Sequence, residues 1–217
     1  MTDDLSLEPI DIRVLAVLAE KEQLTPDNYP LSLNALVNGC NQLTSRDPVM
    51  SVFEADVQQS VATLMAARLV AEVSQAGARV PKYEHRMRLR WTLEQDKLAA
   101  LVMLMLRGPQ TAAEVRSRAG RIHEFESLAA AESALQFLID KYPPLAIRMA
   151  RGPGAKEVRY AHLLSGEPVA VEPAALPTST ASARQDRMTL LEEEVAALKA
   201  EVERLTREFA EIRRLLE

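Results

Sequence analysis

The chain has 217 residues, of which 47% are apolar and only 4% aromatic, and its formal net charge at pH 7 is −5. This length can bury one large core or two small cores with an appendage, and we interpret it as the second. No apolar run reaches the roughly 18 residues of a membrane span, and the N-terminus lacks a signal-peptide pattern. We therefore expect a cytoplasmic protein that does not contact the membrane.

The distribution of charge matters more than its sum. Residues 1–164 carry 19 Lys and Arg against 20 Asp and Glu, so the body is nearly neutral and most of the remaining acid lies in the tail. Because non-specific affinity for DNA depends on cations, binding to DNA would need a local basic patch. The single cysteine, Cys40, excludes an internal disulfide and is interpreted as a small core residue.

The first elements follow in order. Leu7–Gln23 is a predicted helix in which Pro9 is tolerated in the first turn, and Leu24–Pro30 is a predicted loop. Ser32 is placed to cap a second, short helix. A polar corner at residues 44–48 ends that helix, because Pro48 cannot donate a hydrogen bond. The apolar positions of the short helix are Leu33, Leu36, Val37 and Cys40.

A third helix and a hairpin complete the first half. Ser51 and Glu54 form a predicted capping box, and the helix runs to about Arg68. Extended segments at Leu69–Ser74 and Val80–Arg86 flank a turn at Gly77. Helix, corner, helix and hairpin is the winged-helix order. The apolar stripe of the third helix is Phe53, Val57, Val61, Leu64 and Met65. Arg86, Arg88 and Arg90 alternate before Trp91 and would share one side of an extended segment.

The second half repeats this order. Predicted capping boxes at Thr92 and Thr111 start two helices, and a longer helix covers Ser127–Lys141. Extended segments at Leu145–Ala150 and Glu157–Leu163 form a second hairpin. Lys82-Tyr83-Glu84-His85 matches Arg159-Tyr160-Ala161-His162, which indicates an internal duplication of about 75 residues. We predict a mainly α protein with small β-hairpins: winged-helix domains at residues 1–91 and 92–164.

The rest of the chain has a different character. Residues 165–183 are rich in Pro, Ala, Ser and Thr without a period and form a predicted flexible linker. Residues 184–217 carry a heptad pattern typical of a parallel two-stranded coiled coil that joins two chains. The alternative is a lone amphipathic helix that folds back on the body. The predicted dimerisation residues are Met188, Leu191, Val195, Leu198, Val202, Leu205, Phe209, Ile212 and Leu216.

Four stretches carry a resemblance to a known family. They are residues 25–36 (TPDNYPLSLNAL), 40–42 (CNQ), 45–49 (SRDPV) and 79–86 (RVPKYEHR). With these stretches the chain resembles the YceH-like family of uncharacterised bacterial proteins over about Leu5 to Leu164. The resemblance implies a tandem winged-helix fold and a dimer, and it implies no established biochemical activity.

Duplex DNA is the first predicted partner, because the third helix of a winged helix enters the major groove and the wing contacts the backbone or minor groove. Amide side chains can read adenine, and hydroxyl, amide and cationic groups can contact phosphates. The candidate DNA-binding residues are Asn41, Gln42, Thr44, Ser45, Arg46, Gln58, Gln59, Thr63, Arg79, Lys82, Arg86, Arg88, Arg151, Lys156 and Arg159.

Carboxylates on both predicted third helices argue against DNA, since they repel phosphates. Glu54 and Asp56 lie on the first of these helices, and Glu126, Glu132 and Asp140 lie on or beside the second. The alternative is therefore a protein-interaction adaptor that presents the winged helices to an unknown protein partner and does not bind DNA. We expect a dimeric DNA-binding protein of the transcription-regulator type, slightly ahead of this adaptor.

An enzyme is not expected. His85 and His162 occupy equivalent hairpin positions, so a duplicated packing pair explains them better than catalysis does. A nucleophilic pair of Cys40 with a histidine conflicts with the predicted burial of Cys40. The sequence contains no metal-ligand cluster and no phosphate-binding loop, so we predict no metal and no cofactor.

Overall fold

The computed structural model describes residues 6–73, 80–151 and 157–166. This part of the chain is mainly helical with small antiparallel sheets. Its helices are all too short or too polar to cross a bilayer. Nearly all of the predicted linker at residues 165–183, the coil at 184–217 and every predicted dimerisation residue lie outside the described residues.

The first half contains five helical and three extended elements in its described part. They are α1 (Pro9–Leu24), a 3-10 turn (Pro26–Asn28), β1 (Leu31–Ser32), α2 (Leu33–Cys40), α3 (Glu54–Ala66), β2 (Val70–Val73), β3 (Lys82–His85) and α4 (Met87–Trp91). Strand β3 lies between the other two and is antiparallel to both. Leu31 is opposite Tyr83, and Val70 is opposite His85.

The second half repeats this order with α5 (Gln95–Arg107), α6 (Ala112–Ala119), α7 (Leu128–Asp140), β4 (Ala146–Arg148) and β5 (Tyr160–His162). Ala146 is opposite His162, as Val70 is opposite His85. Gln110 pairs with Tyr160, as Leu31 pairs with Tyr83. In each half the paired residue directly precedes the N-cap of the next helix. These shared positions are those that an internal duplication would leave.

Side-chain caps start three of the helices. The Ser32 hydroxyl accepts from the Ala35 N–H at 3.4 Å, and the Ser127 hydroxyl accepts from the Ala130 N–H at 3.1 Å. Thr111 accepts from the Glu114 N–H at 3.2 Å, while the Glu114 carboxylate accepts from the Thr111 N–H at 2.9 Å. The predicted cap at Ser32 and the predicted capping box at Thr111 are therefore confirmed.

The predicted capping boxes at Ser51 and Thr92 are wrong. The Asn41 side chain bonds both the N–H and the carbonyl of Val52, at 2.8 and 2.9 Å, so the backbone there is committed outside a helix. Helix α3 consequently begins at Glu54. Thr92 instead ends α4 in the left-handed conformation, with φ at +49°. Helix α5 then begins at Gln95, three residues later than the capping-box position.

Helix α4 replaces the extended segment predicted between the hairpin and Trp91. Met87 and Trp91 are both buried, and residues four apart share one face of a helix. An extended segment would place Leu89 on that same face, but Leu89 is 72% exposed, so the burial pattern is that of a helical turn. As a result Arg86, Arg88 and Arg90 do not share one side of an extended strand, which corrects that prediction.

One continuous hydrophobic cluster reaches from Leu7 to Leu164, where the sequence predicted two small cores. Helices α1 and α5 contact each other and join the halves. Residues 11–20 of α1 and 98–106 of α5 are all buried, so each helix is covered on every side. The Leu7 N–H also donates to the Leu164 carbonyl at 2.7 Å.

The polar residues buried on α1 hold the neighbouring elements of the first half. Asp11 accepts from the Ser60 hydroxyl of α3 at 2.6 Å. Arg13 donates to the Cys40 carbonyl of α2 at 3.3 Å. Gly39 allows α2 to approach closely, because a Cβ at that position would lie 2.5 Å from the Val17 side chain. Helix α1 is thus a buried central helix rather than a surface helix with one apolar stripe.

Candidate interaction surface

Residues 41–53 connect α2 to α3 without regular secondary structure. They include the predicted polar corner at residues 44–48, and from here on we call the whole segment 41–53 the corner. Five of the candidate DNA-binding residues lie here. Their side chains divide into two groups: three are engaged within the molecule, and two, Thr44 and Ser45, are exposed.

Arg46 is the clearest correction to the predicted DNA contacts. Its side chain is 0% exposed, and its guanidinium donates to both carboxylate oxygens of Glu20 on α1, at 2.6 and 3.1 Å. It also donates to the Gly39 carbonyl at 3.2 Å. A guanidinium that is buried and fully engaged cannot reach a phosphate, so Arg46 is a structural residue.

Asn41 and Gln42 are also used internally. The Asn41 amide closes the corner by bonding the backbone of Val52, and the side-chain oxygen of Gln42 accepts from Arg46 at 2.7 Å and from Lys21 at 3.2 Å. Both side chains are half-buried. In this structure the two amides shape the corner, and their contact with phosphates stays a prediction.

Two further bonds fix the middle of the corner. Arg13 of α1 donates to the Pro48 carbonyl at 2.6 Å, and the Asp47 N–H donates to the Leu106 carbonyl of α5 at 2.9 Å. Burial, followed by the nearby charge of Arg46, lowers the pKa of Arg13. The corner is thereby attached to both of the helices that form the centre of the fold.

The fixed corner presents large apolar side chains to solvent, which sequence reasoning did not predict. Leu43 and Phe53 are each 79% exposed, and Val49 is 52% exposed. The predicted place of Phe53 in the core stripe is wrong. Helix α3 begins only at Glu54, the residue after Phe53, and Phe53 stays in extended backbone. No local sequence signal distinguishes this Phe53 from the first residue of a buried stripe.

The exposed face of α3 is polar and acidic. Gln58, Gln59 and Thr63 are exposed, as a reading helix would require, and the Thr63 hydroxyl donates back to the Gln59 carbonyl at 3.2 Å. Glu54 and Asp56 are exposed in the first turn. The helix contains no lysine or arginine to offset them.

Carboxylates engage two of the predicted cations at the first hairpin, Arg86 and Arg88. Arg86 pairs with Glu84 at 2.7 Å. Arg88 lies 3.5 Å from Glu22 and donates to the side-chain carbonyl of Gln95. Lys82 is half-buried and forms no ion pair with any residue that the structure describes. Arg79 lies outside the described residues.

The predicted cations of the second hairpin also lie close to carboxylates. Arg159 pairs with Glu114 at 3.2 Å and donates to the Pro109 carbonyl at 2.8 Å. Arg151 is exposed beside a depression that it lines together with Arg148, and Glu132 and Glu157 line the same depression. Lys156 lies outside the described residues.

The two equivalent histidines have different environments. The His85 Nδ1 accepts from the Met87 N–H, so its Nε2 carries the proton and donates to Glu22 at 3.2 Å. That hydrogen bond lowers the pKa of Glu22 to about 2. The His162 Nδ1 is buried without a hydrogen-bond partner among the described residues, and burial lowers the pKa of His162 to about 4.

We expect acid to destabilise the fold through His162. Its folded pKa of about 4 lies below the ordinary 6.5, so the unfolded chain binds this proton first as the pH falls. The contribution of neutral His162 to the free energy of unfolding is complete above pH 6.5. It falls by up to about 3 kcal/mol between pH 6.5 and 4. Urea unfolding across this range should show a shallower pH dependence for His162→Phe than for the wild type.

The matched control is His123→Gln, which removes the half-buried histidine packed edge-on against Phe125. Glu22 adds a separate loss, mainly below pH 4.5, because its folded pKa is lowered. If His162→Phe leaves the slope between pH 6.5 and 4.5 unchanged, His162 is not the group responsible.

Chemistry at Cys40 or at a metal receives no support from the geometry. Cys40 is buried, which raises the pKa of its thiol to about 12, and a protonated thiol is a poor nucleophile. Within residues 6–73, 80–151 and 157–166, no three His, Cys, Asp or Glu side chains are grouped to hold a metal ion.

Comparison with known proteins places the chain. Residues 7–155 match the family model described as "Protein of unknown function, DUF480". A UPF0502 protein of Janthinobacterium sp. (strain Marseille) is 62% identical over 95% of this chain and 89% of its own length. Those of Herminiimonas arsenicoxydans and Aeromonas hydrophila are 59% and 42% identical over 95% and 96% of this chain, and 89% and 99% of their own lengths. The chain therefore belongs to the UPF0502, or DUF480, family of uncharacterised bacterial proteins, which is the YceH-like family.

Proposed function

We propose that this protein is a protein-interaction adaptor built from two tandem winged-helix units. In each half, a helix, a short extended pairing segment, two helices and a hairpin follow one another, as in a winged helix. On this proposal the domain boundaries are those at residues 1–91 and 92–164, although the two units share one core.

The observation that most directly supports an adaptor is the engagement of cations by carboxylates. Arg46, Arg86, Arg88 and Arg159 would each have to leave a carboxylate partner before contacting a phosphate. Release of counterions from DNA depends on free protein cations, so paired cations supply little of that affinity. The acidic first turn of α3 and the exposed apolar side chains of the corner suit a protein partner better.

Duplex DNA is the second candidate. Gln58, Gln59 and Thr63 are exposed on α3, where a reading helix would present them. Of the predicted DNA-contacting cations, Lys82 and Arg151 form no ion pair within the described part of the chain, so neither would have to leave a carboxylate to contact a phosphate.

Titration with fluorescent duplex DNA of random sequence separates the two candidates. We expect no change in anisotropy at about 50 mM or about 200 mM salt. Binding that weakens steeply with salt, and that Lys82→Ala with Arg151→Ala reduces on every sequence, would replace the adaptor by a DNA-binding protein. Lys97→Ala is the control variant, since Lys97 is already paired with Glu94 at 2.5 Å and Asp96 at 3.1 Å.

We also propose that residues 184–217 join two chains as a parallel coiled coil, as their heptad pattern predicts. Deleting residues 184–217 is then expected to lower the mass measured by light scattering from that of two full chains to that of one truncated chain, while circular dichroism still reports a folded helical body. A truncated protein that stays dimeric would place the interface elsewhere in the chain.

A further inference from the structure

The corner has an unusual combination of rigidity and exposed apolar surface. Asn41 joins the two ends of the corner to each other, and Arg13, Arg46 and the Asp47 N–H tie its middle to α1 and α5. Ordering a loop of this length costs conformational entropy, and three of its apolar side chains stay more than half exposed. Preordered loops that expose apolar groups are typical of binding surfaces, because their ordering cost is met before the partner arrives.

Two of the exposed apolar residues, Leu43 and Phe53, lie near the two ends of the corner, which Asn41 joins. Asn41 and Val52 are joined by two hydrogen bonds, Leu43 is two residues beyond Asn41, and Phe53 directly follows Val52. Consecutive Cα atoms are only about 3.8 Å apart, so Leu43 and Phe53 emerge near this junction. An aliphatic and an aromatic side chain at one place can anchor a partner.

The exposed charges of residues 41–56 all have one sign, and two cations that pack nearby, Lys21 beside Gln42 and Arg107 near Asp47, are half-buried. Asp47, Glu54 and Asp56 are exposed, and Arg46, which is the only cation between residues 41 and 56, is buried against Glu20. An apolar centre with an acidic rim complements a segment that carries apolar side chains among lysines and arginines. The same rim repels the phosphates of nucleic acid and of acidic membranes.

We infer that the corner docks a basic, amphipathic peptide segment of a partner protein, with Leu43 and Phe53 as the apolar anchors and Asp47, Glu54 and Asp56 as the acidic rim. This inference rests on the proposed adaptor function and names the chemistry of its partner. The first turn of α3 thus contributes Glu54 and Asp56 to the docking site, whereas Gln58, Gln59 and Thr63 lie farther along the helix.

The test uses the full chain and two fluorescent peptides of about 16 residues. One places leucine and lysine at helical spacing, and the other has glutamate at every lysine position. We expect the basic peptide to bind and the acidic one not to bind. Leu43→Ser with Phe53→Ser should weaken binding of the basic peptide at least about tenfold, the effect of losing two central anchors.

Matched controls distinguish specific docking at the corner from non-specific adsorption of the peptide to exposed apolar side chains. Leu89→Ser with Tyr142→Ser removes two other side chains that are 72% and 85% exposed, and should change the affinity less than about twofold. Asp47→Asn, Glu54→Gln and Asp56→Asn together should reduce binding and its salt dependence. Glu132→Gln with Asp140→Asn, on the exposed face of α7, should not.

Several outcomes would overturn the inference. They are equal binding of both peptides, equal loss in the corner and control variants, and a shift to monomer when Leu43 and Phe53 are replaced, which would make the corner a self-interface. The titration with DNA is independent of these measurements. Absence of both DNA and peptide binding would overturn the corner inference alone, whereas salt-dependent DNA binding without peptide docking would overturn the proposed function and the inference with it.

Discussion

Replacing Arg46 with methionine is expected to lower the free energy of unfolding by about 3 kcal/mol. The substitution leaves the Glu20 carboxylate buried without its bidentate partner, and breaking buried pairs in this way costs about 3–5 kcal/mol. The low end applies because Lys21 lies 3.5 Å from Glu20 and because Arg13 is relieved of a neighbouring like charge. Urea unfolding at pH 7, followed by fluorescence of the single tryptophan, Trp91, measures the change.

Two companion variants give this result its meaning. Arg86→Met breaks a pair of similar length with Glu84, but its side chains are 42% and 28% exposed, so the cost should stay below about 1 kcal/mol. Adding Glu20→Met to Arg46→Met removes the uncompensated carboxylate and should recover part of the loss. Equal losses for Arg46→Met and Arg86→Met would contradict the assigned role of the buried pair.

Leu101→Ala is expected to destabilise both halves of the protein together, by about 2–5 kcal/mol. Leu101 is fully buried on α5, and truncating such a side chain removes its burial and leaves a cavity. Helix α5 contacts α1 in one half and α6 and α7 in the other, within one continuous core. Trp91 fluorescence and far-ultraviolet circular dichroism should therefore report one shared unfolding transition at a lower urea concentration.

Leu89→Ala provides the surface control, since Leu89 is 72% exposed and its truncation should cost less than about 0.5 kcal/mol. Separate transitions in Leu101→Ala, with the Trp91 signal unchanged, would show that the halves unfold independently. In that case the contact between α1 and α5 would not couple them energetically.

Local patterns in the sequence predict most of the elements. The caps at Ser32 and Thr111 are right, because a hydroxyl and its target amide lie three residues apart and need no distant partner. The predicted capping box at Ser51 is wrong because the side chain of Asn41, eleven residues before Val52, hydrogen-bonds the Val52 backbone outside a helix. Strand β1 has only two residues and shows no periodicity, so nothing in the sequence predicts its pairing with β3.

The candidate site is less predictable than the fold. Asn41, Gln42 and Arg46 are polar residues in a corner next to a proline, which is typical of exposed phosphate donors. Their partners are Val52, Lys21 and Glu20, and the choice of those partners depends on how α1 and α2 meet. Phe53 shows the opposite error. Its spacing matches a buried apolar stripe, but α3 begins after it and its side chain is exposed to solvent.

The sequence by itself determined the helical composition, the two hairpins and the repetition of one helical order, because periodicity, caps and turns act over a few residues. Tertiary structure alone decided that α1 and α5 are covered on all sides, that one core spans both halves and that Glu20 neutralises Arg46. The physical reason is that burial and ion pairing depend on which surfaces meet. A stripe of apolar residues identifies one buried face, and only its neighbours determine whether the opposite face is buried as well.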